Sequence, residues 1–148
     1  MIFIGVDPGL NGAVATIDGD TCTLHDLPRL GPDLDWSRVD VILHGNSYHT
    51  MIGIEKVSAF PKQGVVSSFN FGKAYGGLVA LASLHGSVEL IPPRKWKAEY
   101  GLHKGKQDSL LVARRLFPTA DLKLKKDHNK AEALLIAEYL RRRETGHV

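Results

Sequence analysis

Cysteine is almost missing from this 148-residue chain. The lone Cys22 excludes an intrachain disulfide and a cysteine-based zinc site, and reads as a small core or strand thiol. Long hydrophobic runs are missing too, and with them any helix of the roughly 20 apolar residues that a bilayer requires. There is no internal repeat, no low-complexity tract and no linker rich in Pro, Gly or Ser. Met1 leads straight into an apolar run without a signal peptide, so a cytoplasmic location is expected. What remains is an ordinary globular composition, 43% hydrophobic and 24% charged. The expectation is one domain over residues 1–148, with a single sizeable core.

Basic residues are scarce in the first part of the chain and outnumber the acids two to one in the second. Residues 92–148 hold 14 Lys and Arg against 7 Asp and Glu, net +7, while residues 1–91 hold 5 against 9, net −4. The basic part carries Arg94-Lys95-Trp96-Lys97, His103-Lys104-Gly105-Lys106, Lys123-Leu124-Lys125-Lys126 and Arg141-Arg142-Arg143. Such clusters attract phosphates without regard to sequence and suggest a nucleic-acid partner. Arg141 to Arg143 read as solubilising surface. The seven histidines are scattered, not spaced as metal ligands.

Within this frame three acids stand out. Asp7 ends the apolar run Ile2-Phe3-Ile4-Gly5-Val6 and opens into Pro8-Gly9-Leu10-Asn11-Gly12, so a buried strand delivers a carboxylate to a sharp glycine turn. A carboxylate held there suits a hard cation such as magnesium, although a strand-capping Asp would look the same. Glu55 lies in Met51-Ile52-Gly53-Ile54-Glu55-Lys56-Val57, where an acid is costly to desolvate unless it is paired or bound to metal. Glu132 falls in the first turn of a helix that the pattern predicts from Ala131 onward, with Asp127 or Asn129 as N-cap. The helix dipole alone would favour an acid at that place. His128 and Asn129, four and three residues earlier, can share its face.

The coarse pattern predicts strands near 2–6, 12–17 and 21–26 joined as hairpins, a helix over 35–44 and a strand over 51–57. A long helix over 67–84 follows, then a strand at 88–91 and helices over 93–100 and 106–117. Gly72, Gly76 and Gly77 fall inside the 67–84 helix, each costing about 1 kcal/mol relative to alanine. Close packing on another helix or on the sheet would compensate. Phe60 lies in a loop marked by Pro61, Lys62 and Gly64, where an exposed ring could stack on an unpaired base; core anchoring is the alternative for it and for Phe69.

Three acids on two strands and one helix resemble the RNase H-like nuclease superfamily, and the wording of the chain narrows this to the RuvC family of Holliday-junction resolvases. The segments that carry the resemblance are Ile4-Gly5-Val6-Asp7-Pro8-Gly9, Ile54-Glu55-Lys56-Val57, Phe71-Gly72-Lys73-Ala74-Tyr75-Gly76 and His128-Asn129-Lys130-Ala131-Glu132-Ala133-Leu134. They fall in order along nearly the whole chain, and the short length fits a stand-alone, phage-type member. The resemblance implies an α/β fold with a central mixed five-stranded sheet flanked by helices. It further implies a homodimer that contacts its partner through the 67–84 helix.

It also implies that Asp7, Glu55 and Glu132 are catalytic carboxylates binding two Mg²⁺ ions, for which Mn²⁺ would substitute. Two ions about 3.5–4 Å apart can both activate a water and stabilise the leaving oxygen of a phosphodiester. The family's fourth ligand lies three residues before the final acid, and here that position is Asn129, a neutral and poorer ligand. His128 or Asp127 is expected to serve in its stead. Lys97 and Lys106 lie where the resemblance places DNA-contacting lysines; Phe60, Lys62, Lys104 and Lys130 complete the candidate DNA surface. The implied activity is magnesium-dependent resolution of four-way junctions by symmetric nicking. A less selective flap or fork nuclease and a non-cleaving junction-binding module are the alternatives. An actin-like phosphotransferase would need a second domain for which the chain is too short.

Overall fold

The computed structural model describes residues 1–45, 49–102 and 106–146, without the side chains of Lys106 and Gln107. The elements, in chain order, are β1 (Ile2–Asp7), β2 (Ala13–Asp18), β3 (Thr21–Asp26), β4 (Arg29–Leu30), β5 (Asp33–Leu34), α1 (Trp36–Leu43), β6 (Thr50–Glu55), α2 (Val65–Ala82), β7 (Ser87–Ile91), α3 (Pro93–Glu99), α4 (Lys106–Leu116) and α5 (His128–Thr145). Five strands form one mixed sheet in the order β3-β2-β1-β6-β7. The pairs β1–β2 and β2–β3 are antiparallel, and β1–β6 and β6–β7 are parallel. This is the expected mixed sheet, with the expected hairpins at its start.

The two central strands are covered on both faces, which is why they read as nearly continuous apolar runs. Alternate residues go to different layers. Ile4 and Val6 of β1, with Ile52 and Ile54 of β6, pack under α1 and α2 beside Leu43 and Leu78. Phe3 faces the opposite layer with Ile91, Trp96 and the buried run Ala133 to Ala137 of α5. Gly5 and Gly53 share that second face, and the β1–β6 register sets them side by side. A Cβ at Gly5 would overlap the carbonyl of Ala133, and one at Gly53 would come within 2.7 Å of Ile91 Cδ1 and 2.9 Å of Leu140 Cδ1. Only glycine lets α5 lie this close to the sheet.

Helix α5 is buried all round its middle, from Ala131 to Glu138, because the sheet lies on one side and α4 on the other. A helix enclosed in this way carries no strong apolar stripe. It starts at His128, three residues earlier than the apolar pattern suggests, behind a single 3₁₀ turn at Lys125–Asp127. Asp35 caps α1 by accepting the N–H of Arg38 at 3.2 Å, a stronger cap than the sequence implies. Of the α2 glycines, Gly77 packs against the Trp36 ring, whereas Gly72 and Gly76 face open space. Cys22 sits half-buried on β3 against the core, which raises its thiol pKa. Among the described residues no helix is long and apolar enough to cross a membrane.

Candidate active site

Strand alternation decides where two of the acids point. Asp7 follows Gly5 by two residues and Glu55 follows Gly53 by two, so both carboxylates leave the sheet on the face that α5 covers. The last registered pair, Val6 with Ile54, places the two acids one step further along neighbouring parallel strands. The same glycines that admit α5 bring its first turn over the strand ends. Asp7, Glu55 and Glu132 accordingly line one open cleft of about 440 Å³, together with the turn Pro8 to Gly12, Phe71, Lys97 and Asn129.

Each outer acid is held by a neutral donor. The buried Trp96 of α3 donates its indole N–H to Glu55 Oε2 at 2.9 Å. Ser109 of α4, also buried, donates its hydroxyl to Glu132 Oε1 at 3.2 Å. Burial raises the pKa of Glu55, and the nearby charge of Glu132 adds to the rise; the Trp96 hydrogen bond and the Lys97 charge oppose it. Lys97 places its Nζ 5.1 Å from the Trp96 ring centroid. The cleft therefore concentrates negative charge in a partly desolvated place with one lysine in its wall.

The fourth position departs from the expectation. Asn129 lines the cleft and donates Nδ2–H to the carbonyl of Asn11 at 2.5 Å. Asp127 and His128 do not line it. Asp127 is the residue before α5, and its Oδ2 accepts the N–H of Leu124 at 2.8 Å while Oδ1 lies 3.7 Å from Lys130 Nζ. His128 has its Nδ1 3.4 Å from the carbonyl of Lys125. Because the helix starts at His128, Asn129 and Glu132 fall three apart on one helical face, while Asp127 is spent on the preceding turn. The expectation of Asp127 or His128 in place of Asn129 thus concerns residues that this structure holds outside the cleft lining. Lys130 Nζ lies 3.4 Å from Asp26 and 3.7 Å from Asp127, and Lys130 is outside the cleft lining.

Phe60 and Phe69 stand outside the core, 75% and 70% exposed. The Phe60 turn is closed by its own hydrogen bonds, with Gln63 Oε1 accepting the Phe60 N–H at 3.2 Å and the Phe60 carbonyl accepting the Gln63 N–H at 3.1 Å. Lys62 is exposed in the same turn, with a left-handed backbone at φ 69°. Lys104 and the side chain of Lys106 lie outside the described residues.

The sequence reading missed Trp96, Ser109 and Phe71 as parts of this place. One signal was available: Gly5-Val6-Asp7 and Gly53-Ile54-Glu55 share a glycine two residues before the acid, the mark of a face that another element approaches closely. Nothing local marks Trp96 or Ser109, because their partners come from distant strands and helices.

Among the described residues no three His, Cys, Asp or Glu come together in this structure so as to hold one metal ion among them. The donors in the cleft nevertheless fit a hard cation. They are carboxylates and one amide from two strands and a helix, and magnesium is usually bound through one or two carboxylates, with water and substrate phosphates completing its shell.

No family model matches the chain. A curated relative, the chloroplastic Holliday junction resolvase MOC1 of Chlamydomonas reinhardtii, is 36% identical over 91 residues, 58% of this chain. The chain spans 10% of that relative's length. Among solved structures, Thermus thermophilus RuvC superposes with a TM-score of 0.66 at 17% identity, covering 99% of this chain and 97% of that one. A T. thermophilus RuvC in complex with a Holliday junction substrate gives 0.70 at 16% identity, covering 99% and 96%. From β1 to α5, the fold of this chain is the RNase H-like fold of RuvC.

Proposed function

We propose that this protein is a metal-dependent, structure-specific DNA endonuclease that resolves four-way junctions by symmetric phosphodiester hydrolysis. The observation that carries the reading is the meeting of Asp7, Glu55 and Glu132 in one cleft on a RuvC fold. Resemblance to a protein named as a Holliday junction resolvase, and to one in complex with a Holliday junction substrate, supports it. A DNA substrate accords with a cytoplasmic site of action in a prokaryotic or phage-infected cell.

Asp7, Glu55 and Glu132 would hold divalent metal, Mg²⁺ in this reading, with Mn²⁺ as a substitute. When bound, the ions supply an activated water and stabilise the charge on the leaving oxygen. The residues of the chain supply the rest. Asp7 is fixed by β1, while Trp96 and Ser109 orient the other two acids. Lys97 offers a positive charge to the scissile phosphate from the cleft wall. The glycines of the turn after Asp7 leave the backbone accessible to a DNA strand. Phe60, held out by its turn, is placed to stack on an unpaired base near the branch point.

Symmetric nicking needs two sites. The exposed side of α2 offers a surface for a two-fold dimer: Val65, Phe69, Gly72 and Gly76 repeat at helical spacing and none is buried. Small residues at Gly72 and Gly76, with open space beside them, allow another helix close approach. A dimer through this face would present two clefts to two strands of a junction.

The test is cleavage of a labelled immobile four-way junction beside a flap and a linear duplex, in Mg²⁺ or EDTA, by the wild type and Asp7→Asn. Paired nicks in the junction alone, abolished by EDTA and by the substitution, are expected. Equal cutting of the flap would make the protein a general branch nuclease. Tight junction binding without cleavage in Mg²⁺ or Mn²⁺ would make it a binding module, a reading that the neutral Asn129 in the cleft wall favours.

A further inference from the structure

We propose that Trp96 and Ser109 are positioning residues that set the two outer carboxylates for metal, an inference that rests on the metal-dependent nuclease reading. Both donors come from the segment that packs outside α5, Trp96 from α3 and Ser109 from α4. Both are buried, with exposures of 0% for Trp96 and 2% for Ser109, so neither can turn to water for a partner. A buried indole N–H or hydroxyl is costly without an acceptor, and each of these meets one acid. The correspondence is one donor to one acid: Trp96 to Glu55 Oε2 and Ser109 to Glu132 Oε1.

The chemistry of the donors matters as much as their place. An arginine or lysine at either position would neutralise the carboxylate and compete with a cation. An indole and a hydroxyl orient the group while leaving its charge intact. Each uses a single oxygen, so Glu55 retains Oε1 and Glu132 retains Oε2 as metal-binding atoms. Hydrogen bonds behind ligating carboxylates fix their rotamers, and removing such a partner typically weakens metal binding about 10–100-fold.

A purely structural role would leave metal affinity unchanged in a folded variant, which makes calorimetry with Mn²⁺ the deciding measurement. Wild type, Trp96→Phe, Ser109→Ala and Ser109→Thr are titrated after circular dichroism confirms folding, and junction binding is measured separately in EDTA. The expected result is a Mn²⁺ Kd raised about 10–100-fold by Trp96→Phe and by Ser109→Ala, with Ser109→Thr returning toward wild type because it keeps the hydroxyl. Junction affinity in EDTA stays at the wild-type value. Wild-type Mn²⁺ affinity in the folded variants overturns the positioning role while leaving the nuclease reading intact; absence of Mn²⁺ binding and cleavage in the wild type overturns both. A second readout covers a Trp96→Phe protein that fails to fold. Mg²⁺ added to the wild type should change its indole emission, since Glu55 is the hydrogen-bond partner of Trp96, and an unchanged spectrum at cation levels that saturate cleavage overturns the Trp96 assignment.

Discussion

Asn129 and Asn11, 118 residues apart in sequence, are joined by a 2.5 Å hydrogen bond from the side-chain amide of one to the main-chain carbonyl of the other. The bond ties the start of α5 to the turn that follows Asp7, so the residue at the departing fourth position has a structural task that an acid cannot perform. An ionised carboxylate has no proton to donate. In EDTA, Asn129→Asp should therefore lose about 1–3 kcal/mol of stability in urea denaturation. Adding Mg²⁺ should raise its melting temperature more than that of the wild type, because a fourth carboxylate repels the other three until a cation arrives. Equal stability of the two proteins in EDTA would count against this account of Asn129.

Gly5 tests the close approach of α5 from the side of the sheet. Its substitution by alanine drives a methyl group into the Ala133 carbonyl, which is main chain and cannot rotate away. Gly5→Ala should cost about 1–3 kcal/mol or more in chemical denaturation and impair cleavage, since α5 carries Glu132. By contrast, a methyl group at Gly64 meets nothing within 4 Å, and Gly64→Ala serves as the control for adding one. Equal stability of Gly5→Ala and wild type would contradict the packing described.

Much of this architecture can be read from the chain before any coordinates. The strand ending in Asp7 carries its own boundary, because an apolar run stops at an acid followed by turn residues, whereas the strand expected over 51–57 stops two residues sooner, at Glu55. The last helix differs from the expectation in its start, by three residues, and not in its existence: alanines and leucines mark its middle, but His128 to Lys130 carry no periodic signal. The short β4–β5 hairpin escaped notice because two-residue strands have no pattern to detect. Of the cleft, the three acids were legible and their supports were not. Trp96 reads locally as an aromatic among basic residues, and only the tertiary fold sets its N–H against Glu55. Asp127 and His128 were favoured on chemical type, whereas the helical phase sets Asn129 on the face of Glu132.

Arg143 and Glu89 provide a pH-dependent element remote from the cleft. Two guanidinium nitrogens lie 2.7 and 2.5 Å from the two carboxylate oxygens, and this partner holds the Glu89 pKa below its ordinary value of 4.5. A pKa depressed in the folded state gives stability that is present above the unfolded value and is lost as pH falls through the folded one. Both side chains are about a third exposed, so water screens the pair and its contribution at neutral pH is about 1 kcal/mol or less. Glu89→Gln should lower stability at pH 7 by that amount and converge with the wild type as pH falls below the ordinary carboxylate range. A constant difference across that range in urea titrations would refute the linkage.

Phe69 tests the dimer face independently of catalysis. Phe69→Arg places a charge at the middle of the exposed α2 stripe, where two copies would bring like charges together. The substituted protein should sediment as a monomer at concentrations where the wild type is a dimer, with an unchanged circular dichroism spectrum. Unaltered sedimentation as a dimer would assign the interface to another surface.

The enclosure of α5 also determines when the protein becomes chemically competent. The hairpins at the start of the chain are built from local contacts and can form early, yet they contribute only Asp7. Glu132 reaches the cleft only when its helix is seated between the sheet and α4, a step that closes most of the second core layer. On the proposed nuclease reading, cutting power is thus withheld until folding is nearly complete. On the same reading, a chain on the ribosome, or one partly unfolded by heat, would cling to DNA through its lysines without being able to sever it.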